Sequence, residues 1–339
     1  MANKYHMTKI IDGLYLGDLD DAKQTSQLHH FGIAHILTID EKKLHEDWSQ
    51  YFQYKCIQCY DLVITDLLSH FEECFEFIEN GRRAGGVLVH CLMGMSRSAT
   101  VVIAYIMMKE RISLKAALEK VKEKRPQIRP NEGFIYQLQL LNDMGSQFDK
   151  TNENYKLYRL NLLGERIKNE CLDDGDGATT DFLGSDPQNA TDQQETIYKC
   201  RKCRRALFKA SSLLSHYIGR GEAAFDWRRN LKNQIEQTAD SPDVEKCTQS
   251  IFIEPVQWMK GFIMVMEGKI SCPKCDSKLG AFSWKGERCP CGSWVTPAFH
   301  IHSGKVDHCP PLAVQSPQQK MPNLPATNLS SVDSNSVQN

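Results

Sequence analysis

The chain has 339 residues, of which 41% are hydrophobic and 24% are charged, and its formal net charge is −1. A net charge near zero gives no overall field toward polyanions, and no apolar run is long enough to span a bilayer, so we expect no membrane partner and no direct DNA binding. The N-terminus has no signal-peptide core, and thirteen cysteines then indicate metal binding or thiol chemistry in a reducing compartment. We expect a soluble protein of the cytoplasm and nucleus.

The cysteines divide the chain into two parts. Four precede residue 150, and eight of the other nine follow residue 199. Between them, the polar segment "CLDDGDGATTDFLGSDPQNATDQQE" has no hydrophobic periodicity and predicts a linker, with few contacts between the two domains that it joins. We therefore predict a first domain at 1–150, a helical extension and flexible linker at 151–195, a second domain at 196–309 and a disordered tail at 310–339.

Strand and helix signals alternate in the first domain. "IIDGLYLG" predicts a strand, "DDAKQTSQLHHFG" a helix and "IAHILTID" another strand. "YFQYKCIQCYDL" is extended, and "DLLSHFEECFEFIENG" predicts a helix that ends at Gly81. The strand "GGVLVHC" leads into "SRSATVVIAYIMMKER", whose all-round apolarity favours a buried central helix, and further helices begin near Ser113 and Asn131. This order predicts an α/β fold with a mostly parallel sheet, helices on both faces and ligands at the carboxyl ends of the strands.

The loop from Cys91 to Arg97 follows one of these strands and opens the central helix. Seven residues are about enough to wrap backbone N–H groups around one tetrahedral anion, and the helix N-terminus adds its positive end. The same field stabilises the thiolate of Cys91, which makes it a nucleophile. Arg97 can donate two hydrogen bonds to phosphate oxygens. A buried structural cysteine followed by an unrelated arginine is the alternative, but the combined pattern favours a phosphate-binding catalytic loop.

Other residues of this loop have expected roles. Gly94 suits a tight turn that a β-carbon would obstruct. Ser98 can donate a hydrogen bond to the cysteine sulfur when it is a leaving group, and His90 can brace the loop backbone. The substrate-binding positions predicted between Cys91 and Ser98 are Leu92, Met93, Gly94, Met95, Ser96 and Arg97.

This region resembles the dual-specificity protein phosphatases, whose signature is HCxxGxxR followed by Ser or Thr. The resemblance extends to "GLYLG", "AYIM" and "IRPNEGFIYQL" and covers about residues 5 to 148. It implies the cysteine-phosphatase fold, a phosphorylated protein as substrate, hydrolysis of phosphotyrosine and phosphoserine or phosphothreonine through a cysteinyl-phosphate, and no metal in the catalytic site. The variable loop positions contain no lysine, which favours a protein substrate over a phosphoinositide.

The resemblance also implies a general acid, which protonates the leaving oxygen. With Leu67 and Phe71 at the start of the following helix, the family pattern assigns this role to Asp61. Asp66 is the alternative, and a helix cap is the role we expect for it. Met93 departs from the family, which usually has a small residue there; it could narrow the pocket or slow turnover.

The second part carries the zinc-ligand spacings "YKCRKC", "CPKC" and "CPCG". Pairs of thiolates on tight turns can complete tetrahedral Zn²⁺ sites. One predicted set is Cys272, Cys275, Cys289 and Cys291. The other is Cys200, Cys203, His216 and Cys247. Two closed sites imply two structural zinc ions in a small β-rich domain. In the first part, "CIQC" at Cys56 to Cys59 has no second cysteine pair nearby, and we expect it to pack in the core. Reserve ligands are His300, His302, His308 and Cys309.

"CRKCRRALF", "FIEPVQWM", "CPKCDSKLG" and "CGSWVTPAFHIH" resemble the C-terminal zinc-binding domain of the dual-specificity phosphatase 12 family, which is related to the Yvh1-type phosphatases of yeast. This resemblance implies a second class of function: partner binding by the zinc domain and late maturation of the large ribosomal subunit, on a pre-60S particle and without need for phosphatase activity. The basic residues between Lys199 and Arg205 would suit an RNA or acidic-protein contact.

Overall fold

The structure is a computed structural model that describes residues 7–44, 50–168, 183–189, 195–218 and 245–311. All but the first two residues of the predicted tail at 310–339, and most of the polar segment predicted as a linker, lie outside these residues. Within the described ranges, no helix combines the length and the apolar character that crossing a bilayer requires.

The first part is built on a five-stranded sheet. Its strands are β1 (Thr8–Ile11), β2 (Leu14–Gly17), β3 (His35–Asp40), β4 (Gln53–Gln58) and β5 (Val87–His90). Their order is β1-β2-β5-β3-β4, and all neighbours are parallel except β1 and β2, so the predicted mostly parallel sheet is confirmed. The segment predicted as one strand, "IIDGLYLG", is instead a hairpin, because Gly13 turns the chain at a φ of +74°.

Seven helices accompany the sheet in the described residues. They are α1 (Leu19–Ala22), α2 (Thr25–His30), α3 (Phe71–Arg83), α4 (Arg97–Glu110), α5 (Leu114–Lys124), α6 (Glu132–Asp143) and α7 (Glu153–Lys168). The starts predicted near Ser113 and Asn131 are confirmed, since these side chains cap α5 and α6 by accepting hydrogen bonds from Ala116 N–H and Phe134 N–H.

Two helix predictions were wrong in detail. The helix predicted for "DDAKQTSQLHHFG" is split into α1 and α2. α3 does not end at Gly81 but continues to Arg83, because this glycine lies inside the packed face of the helix. A β-carbon there would lie 2.7 Å from Val87 and 2.9 Å from His35. Gly81 therefore permits close packing of α3 on the sheet and does not stop the helix.

α4 is the central helix, as its all-round apolarity predicted. All its residues from Arg97 to Met107 are buried. It packs against α3, α5 and α6 and against β5. The helix that begins at the loop from Cys91 to Arg97, which we call the phosphate loop, is therefore held from several sides. A helix fixed in this way keeps its N-terminus, and the loop before it, in one position.

The second part is β-rich, as predicted. One sheet has five antiparallel strands in the order β10 (Glu267–Ser271), β11 (Lys278–Ser283), β14 (Ala298–Ile301), β9 (Ile251–Ile253) and β8 (Leu213–Leu214). Another has three strands in the order β15 (Val306–Cys309), β6 (Ile197–Cys200) and β7 (Ala206–Lys209). A short pair, β12 (Glu287–Arg288) and β13 (Trp294–Val295), completes it.

α7 belongs to the cores of both parts. Tyr155, Tyr158 and Leu162 are buried in the first core, whereas Leu163 and Ile167 are buried in the second. Contrary to the expectation of few contacts, the two parts therefore meet along this helix. The polar composition that suggested a linker begins after α7 and says nothing about the apolar faces of the helix itself. The limits 1–150 and 196–309 remain predictions.

Candidate active site and cysteine clusters

The phosphate loop lies at the carboxyl end of β5, between His90 and the first residue of α4. Cys91 is buried, and its sulfur accepts hydrogen bonds from Gly94 N–H at 3.2 Å and from the Ser98 hydroxyl at 3.1 Å. The N-terminus of α4 adds its positive end. Both donors and the end of the helix are thus directed at the sulfur, which is the arrangement that a nucleophilic cysteine needs.

Gly94 is required by the shape of this loop. Its φ is +63°, and a β-carbon would lie 2.5 Å from the carbonyl oxygen of Gly17. Arg125 Nε donates to the Gly94 carbonyl at 3.0 Å, and Arg125 is only 1% exposed. The sequence does not indicate a role for Arg125 here, because this residue comes from the end of α5, far from the loop along the chain. It anchors the turn that the glycine makes possible.

Arg97 is buried beside the nucleophile and paired with an acid. Its Nη1 donates to Asp40 Oδ1 at 2.7 Å and to the Cys59 carbonyl at 3.2 Å. Burial on its own would lower the pKa of Arg97, but the charges of Asp40 and Cys91 outweigh it and raise that pKa. Its Nε is buried and has no hydrogen-bond partner within the described part of the chain. This donor suits a phosphate oxygen.

His90 lies beneath the loop and is completely buried. Its Nε2 is 2.7 Å from Thr38 Oγ1, and its Nδ1 is 3.4 Å from the Cys91 carbonyl oxygen. Burial lowers the pKa of His90 to about 4. The imidazole is therefore neutral near pH 7 and joins β3 to the start of the loop.

Asp61 forms a hydrogen bond with the phosphate loop. Among the described residues, Asp66 forms none with it. Asp61 Oδ1 accepts from the Ser96 hydroxyl and from Asn131 Nδ2, both at 2.7 Å. Asp66 Oδ1 accepts from Ser69 N–H at 3.2 Å, in the turn before α3. The Asp61 side chain is 38% exposed, so a leaving group can reach it. The sequence predicts only a helix start at Asn131, but in the structure its side-chain amide also donates a hydrogen bond that positions Asp61.

The remaining loop positions face different ways. Leu92 and Met93 are 50% and 63% exposed, Met95 is half-buried, and Ser96 is buried against Asp61. Met93 thus presents its side chain mainly to solvent at the mouth of the site. Of the "CIQC" pair, Cys59 packs in the first core, and burial raises the pKa of its thiol to about 12.

The eight predicted zinc ligands form two clusters, but the predicted pairing was wrong. One cluster consists of Cys200, Cys203, Cys272 and Cys275. The other consists of His216, Cys247, Cys289 and Cys291. Each cluster therefore combines one ligand pair from the beginning of the second part with one from its end. The reserve ligands His300, His302, His308 and Cys309 belong to neither cluster.

The physical reason lies in β11, which separates Cys275 from Cys289. A six-residue strand spans about 20 Å at 3.3 Å per residue. It carries the chain away from the first pair, so the two pairs cannot share one ion. Spacing along the sequence suggested a hairpin short enough to bring them together, but it carries no information about strand direction.

The ligand atoms of each cluster lie within 4.8 Å of one another. A tetrahedral zinc ion with 2.3 Å bonds to sulfur places its sulfurs about 3.8 Å apart. Sulfur distances are 3.8 Å for Cys200 and Cys275, 3.6 Å for Cys203 and Cys272, and 3.8 Å for Cys247 and Cys289. Both donor sets fit Zn²⁺ as closed sites of four protein ligands, which is typical of structural rather than catalytic zinc.

Comparison with known proteins agrees with this geometry. The model for the dual specificity phosphatase catalytic domain matches residues 14–144. Mouse dual specificity protein phosphatase 12 is 37% identical over 93% of this chain and 92% of its own length. This chain belongs to the dual specificity protein phosphatase 12 family.

Among other relatives of this family, budding yeast tyrosine-protein phosphatase YVH1 is 30% identical over 90% of this chain and 92% of its own length. A solved structure, the Yvh1 phosphatase domain from Chaetomium thermophilum, is 32% identical, covers 42% of this chain and 99% of that domain, and has a TM-score of 0.39. Membership of the dual specificity protein phosphatase 12 family makes the chain an enzyme, a protein phosphatase.

Proposed function

We propose that the chain hydrolyses phosphotyrosine and phosphoserine or phosphothreonine in proteins through a cysteinyl-phosphate intermediate. The observation that carries this proposal is the convergence of three groups on one loop. Cys91 accepts two hydrogen bonds, and Asp61 accepts one from the Ser96 hydroxyl. Arg97 Nε has no hydrogen-bond partner among the described residues and lies 3.8 Å from Asp61 Oδ2. Nucleophile, phosphate-binding cation and proton donor are thus within one small site.

In the first step, the Cys91 thiolate attacks phosphorus and the bond from phosphorus to the leaving oxygen breaks. Protonated Asp61 gives its proton to that oxygen. Arg97 and the loop N–H groups hold the phosphoryl oxygens. In the second step, water attacks phosphorus, Asp61 takes its proton, and the bond from sulfur to phosphorus breaks. The Ser98 hydroxyl, 3.1 Å from the sulfur, stabilises the departing thiolate.

Substitutions test this assignment on a phosphotyrosine peptide. We expect Cys91→Ser and Arg97→Ala to abolish hydrolysis, because each removes a group that contacts the phosphate. Asp61→Asn should lower kcat by about 100-fold or more, as loss of a general acid requires. Asp66→Asn is the matched control and should remain close to the wild type. Full activity in Asp61→Asn together with loss in Asp66→Asn would overturn the assignment.

We propose that the second part holds two structural zinc ions and binds a partner, for which a pre-60S ribosomal particle is the candidate. The support is that both clusters are closed by four protein ligands and lie outside the matched catalytic region. The basic residues between Lys199 and Arg205 contribute less positive charge to a binding surface than the sequence suggests. Arg201 and Arg204 pair with Asp307, and Arg205 pairs with Asp186.

Co-sedimentation tests partner binding separately from catalysis. The full chain with Cys91→Ser should still sediment with pre-60S particles, since the substitution leaves the second part unchanged. Loss of association in this variant, with the fold retained, would favour an account in which the second part only selects substrates.

A further inference from the structure

Exposed apolar side chains concentrate around the active site. Twelve large hydrophobic residues are at least 39% exposed in the described ranges. Half of them lie on the two loops that carry Cys91 and Asp61: Tyr60, Leu62, Val63, Ile64, Leu92 and Met93. Scattered exposed apolar residues are ordinary on a protein surface, but a concentration around one site marks a binding surface.

A cavity of about 740 Å³ lies beside this site, between the loop that carries Asp61 and helix α7. Tyr60, Leu62 and Ile64 line one side, and Tyr155 and Leu162 of α7 line the other. No residue of the phosphate loop lines it. We call this cavity the α7 cleft. It is separate from the phosphate site but adjoins it, since Tyr60 lines the cleft and the neighbouring Asp61 contacts Ser96.

The charged residues of the α7 cleft balance. Its lysine and arginine residues are Lys150, Arg159 and Arg166, and its acidic residues are Asp66, Glu73 and Glu165. His70 also lines the cleft, with its Nδ1 2.5 Å from Glu73 Oε1. A site for a polyanion, or for a second phosphate, needs an excess of positive charge, which this lining does not supply. Most of the lining is polar or charged, so the apolar surface that the cleft offers is its rim, where Tyr60, Leu62 and Ile64 are exposed. This rim favours an occupant that brings hydrophobic side chains.

We propose that the α7 cleft binds apolar side chains of the protein substrate that lie a few residues from its phosphorylated residue. This proposal rests on the proposed protein phosphatase function and names a substrate class for it: phosphoproteins with hydrophobic residues flanking the phosphosite. The phosphate loop then holds the phosphoryl group while the cleft selects the sequence. Because α7 begins at Glu153, beyond the matched catalytic region, the specificity belongs to this longer architecture.

Two phosphotyrosine peptides test the proposal on the full chain. They are identical except that the residues flanking phosphotyrosine are leucine in one and serine in the other. We expect the wild type to show about 10-fold higher kcat/KM for the leucine peptide, a discrimination within reach of a hydrophobic pocket. The double variant Leu62→Ser, Ile64→Ser should reduce this ratio toward one. Tyr51→Ser is the control, since Tyr51 is exposed before the start of β4, at the other end of that strand from Asp61, and its ratio should stay at the wild-type value.

Each contrary outcome is distinguishable. Equal kcat/KM for the two peptides in the wild type would overturn the cleft proposal and leave the phosphatase function intact. If the double variant keeps the wild-type ratio of kcat/KM between the leucine and serine peptides, other residues select the substrate. If a third peptide with glutamate flanks has a higher kcat/KM than the leucine peptide, the cleft binds acidic ligands instead. If the wild type hydrolyses none of the peptides, the proposed protein phosphatase function itself fails.

Discussion

Arg97 and His90 lie at the two ends of the phosphate loop, and near pH 7 the first is charged whereas the second is neutral. Both are almost fully buried. Arg97 remains a cation because Asp40 pairs with it at 2.7 Å. His90 has a hydroxyl, not a carboxylate, 2.7 Å from its Nε2, so burial keeps it neutral. The site therefore concentrates its positive charge where the phosphoryl group binds.

The neutral state of His90 makes stability depend on pH. Its pKa is about 4 in the folded protein, whereas an unfolded histidine has a pKa of about 6.5. Between these values the unfolded chain binds more protons, so the free energy of unfolding should fall as pH falls from about 6.5 toward 4, by up to about 3 kcal/mol. Above this window the His90 contribution is constant. Urea unfolding at a series of pH values measures it.

The control for this prediction is His90→Asn, which removes the titrating group while keeping a polar side chain. Effects of other groups, including the zinc ligands, are common to both proteins and cancel in the difference between their pH profiles. Identical slopes between pH 4 and 6.5 would contradict the prediction. If the variant does not fold, titration of the His90 imidazole by NMR gives the same answer, and a midpoint near 6.5 would refute it.

At the residue scale, the sequence predicted what is local. Cys91, Gly94, Arg97 and Ser98 lie within eight consecutive positions, so spacing alone indicated their chemistry. Asp40 and Arg125 could not be found in this way. They come from a different strand and a different helix, and only the folded chain brings them to the loop.

At the scale of elements, the loop carrying Asp61 rests directly on α6. Gly133 stands in the first turn of that helix, and a β-carbon on it would overlap the carbonyl group of Val63. The loop and the helix can approach so closely because position 133 has no side chain. This contact places Asp61 within reach of Ser96 and Asn131.

Gly133→Ala should therefore displace the acid and lower activity. We expect kcat for a phosphotyrosine peptide, whose leaving group needs a proton, to fall by about 10-fold or more. An aryl phosphate with an acidic leaving group depends less on Asp61 and should lose less. Steady-state kinetics on both substrates separates displacement of the acid from general damage to the site.

Gly261→Ala is the matched control for this substitution, because a β-carbon at position 261 would meet nothing within 4 Å. It should leave the activity on both substrates at the wild-type level. Equal losses on the two substrates in Gly133→Ala would show that the phosphate loop, and not the position of Asp61, had changed.

The elements themselves were largely predictable, because hydrophobic periodicity and caps are local signals. α4, α5 and α6 were expected from apolarity and from the caps at Ser113 and Asn131. The end of α3 was not, since a glycine can stop a helix or allow close packing, and only the neighbouring strands decide which. The hairpin of β1 and β2 could not be predicted for a similar reason, since Gly13 could lie within a strand or turn the chain.

At the scale of the whole molecule, the two parts are joined by α7 and by contacts near the second cysteine cluster. Glu153, the first residue of α7, accepts a hydrogen bond from Ser215 N–H and pairs with Lys246 at 3.5 Å. These residues adjoin the ligands His216 and Cys247. Composition could not reveal this junction, because the apolar residues of α7 indicate a contact between the two parts only when both cores have formed around them.

The pairing of zinc ligands can be tested by counting ions in the full chain. Elemental analysis should give about two zinc ions in the wild type. Cys200→Ser combined with Cys272→Ser affects one cluster and should leave about one ion. Cys272→Ser combined with Cys289→Ser affects both clusters and should leave about none. The reverse result would restore the pairing suggested by sequence spacing.

The crossed arrangement of the proposed ligands has a consequence for how the chain would bind zinc during synthesis. Cys200 and Cys275 are 75 positions apart, and so are His216 and Cys291. A nascent chain that has emerged only through Cys247 holds one half of each native cluster, and these halves together are four ligands of the right kinds. A zinc ion captured early by that temporary set would have to exchange two of its four ligands before either native cluster could close. Zinc available during synthesis should therefore slow folding of this protein, and cell-free synthesis should give folded protein faster when zinc is added only after the whole chain has been released.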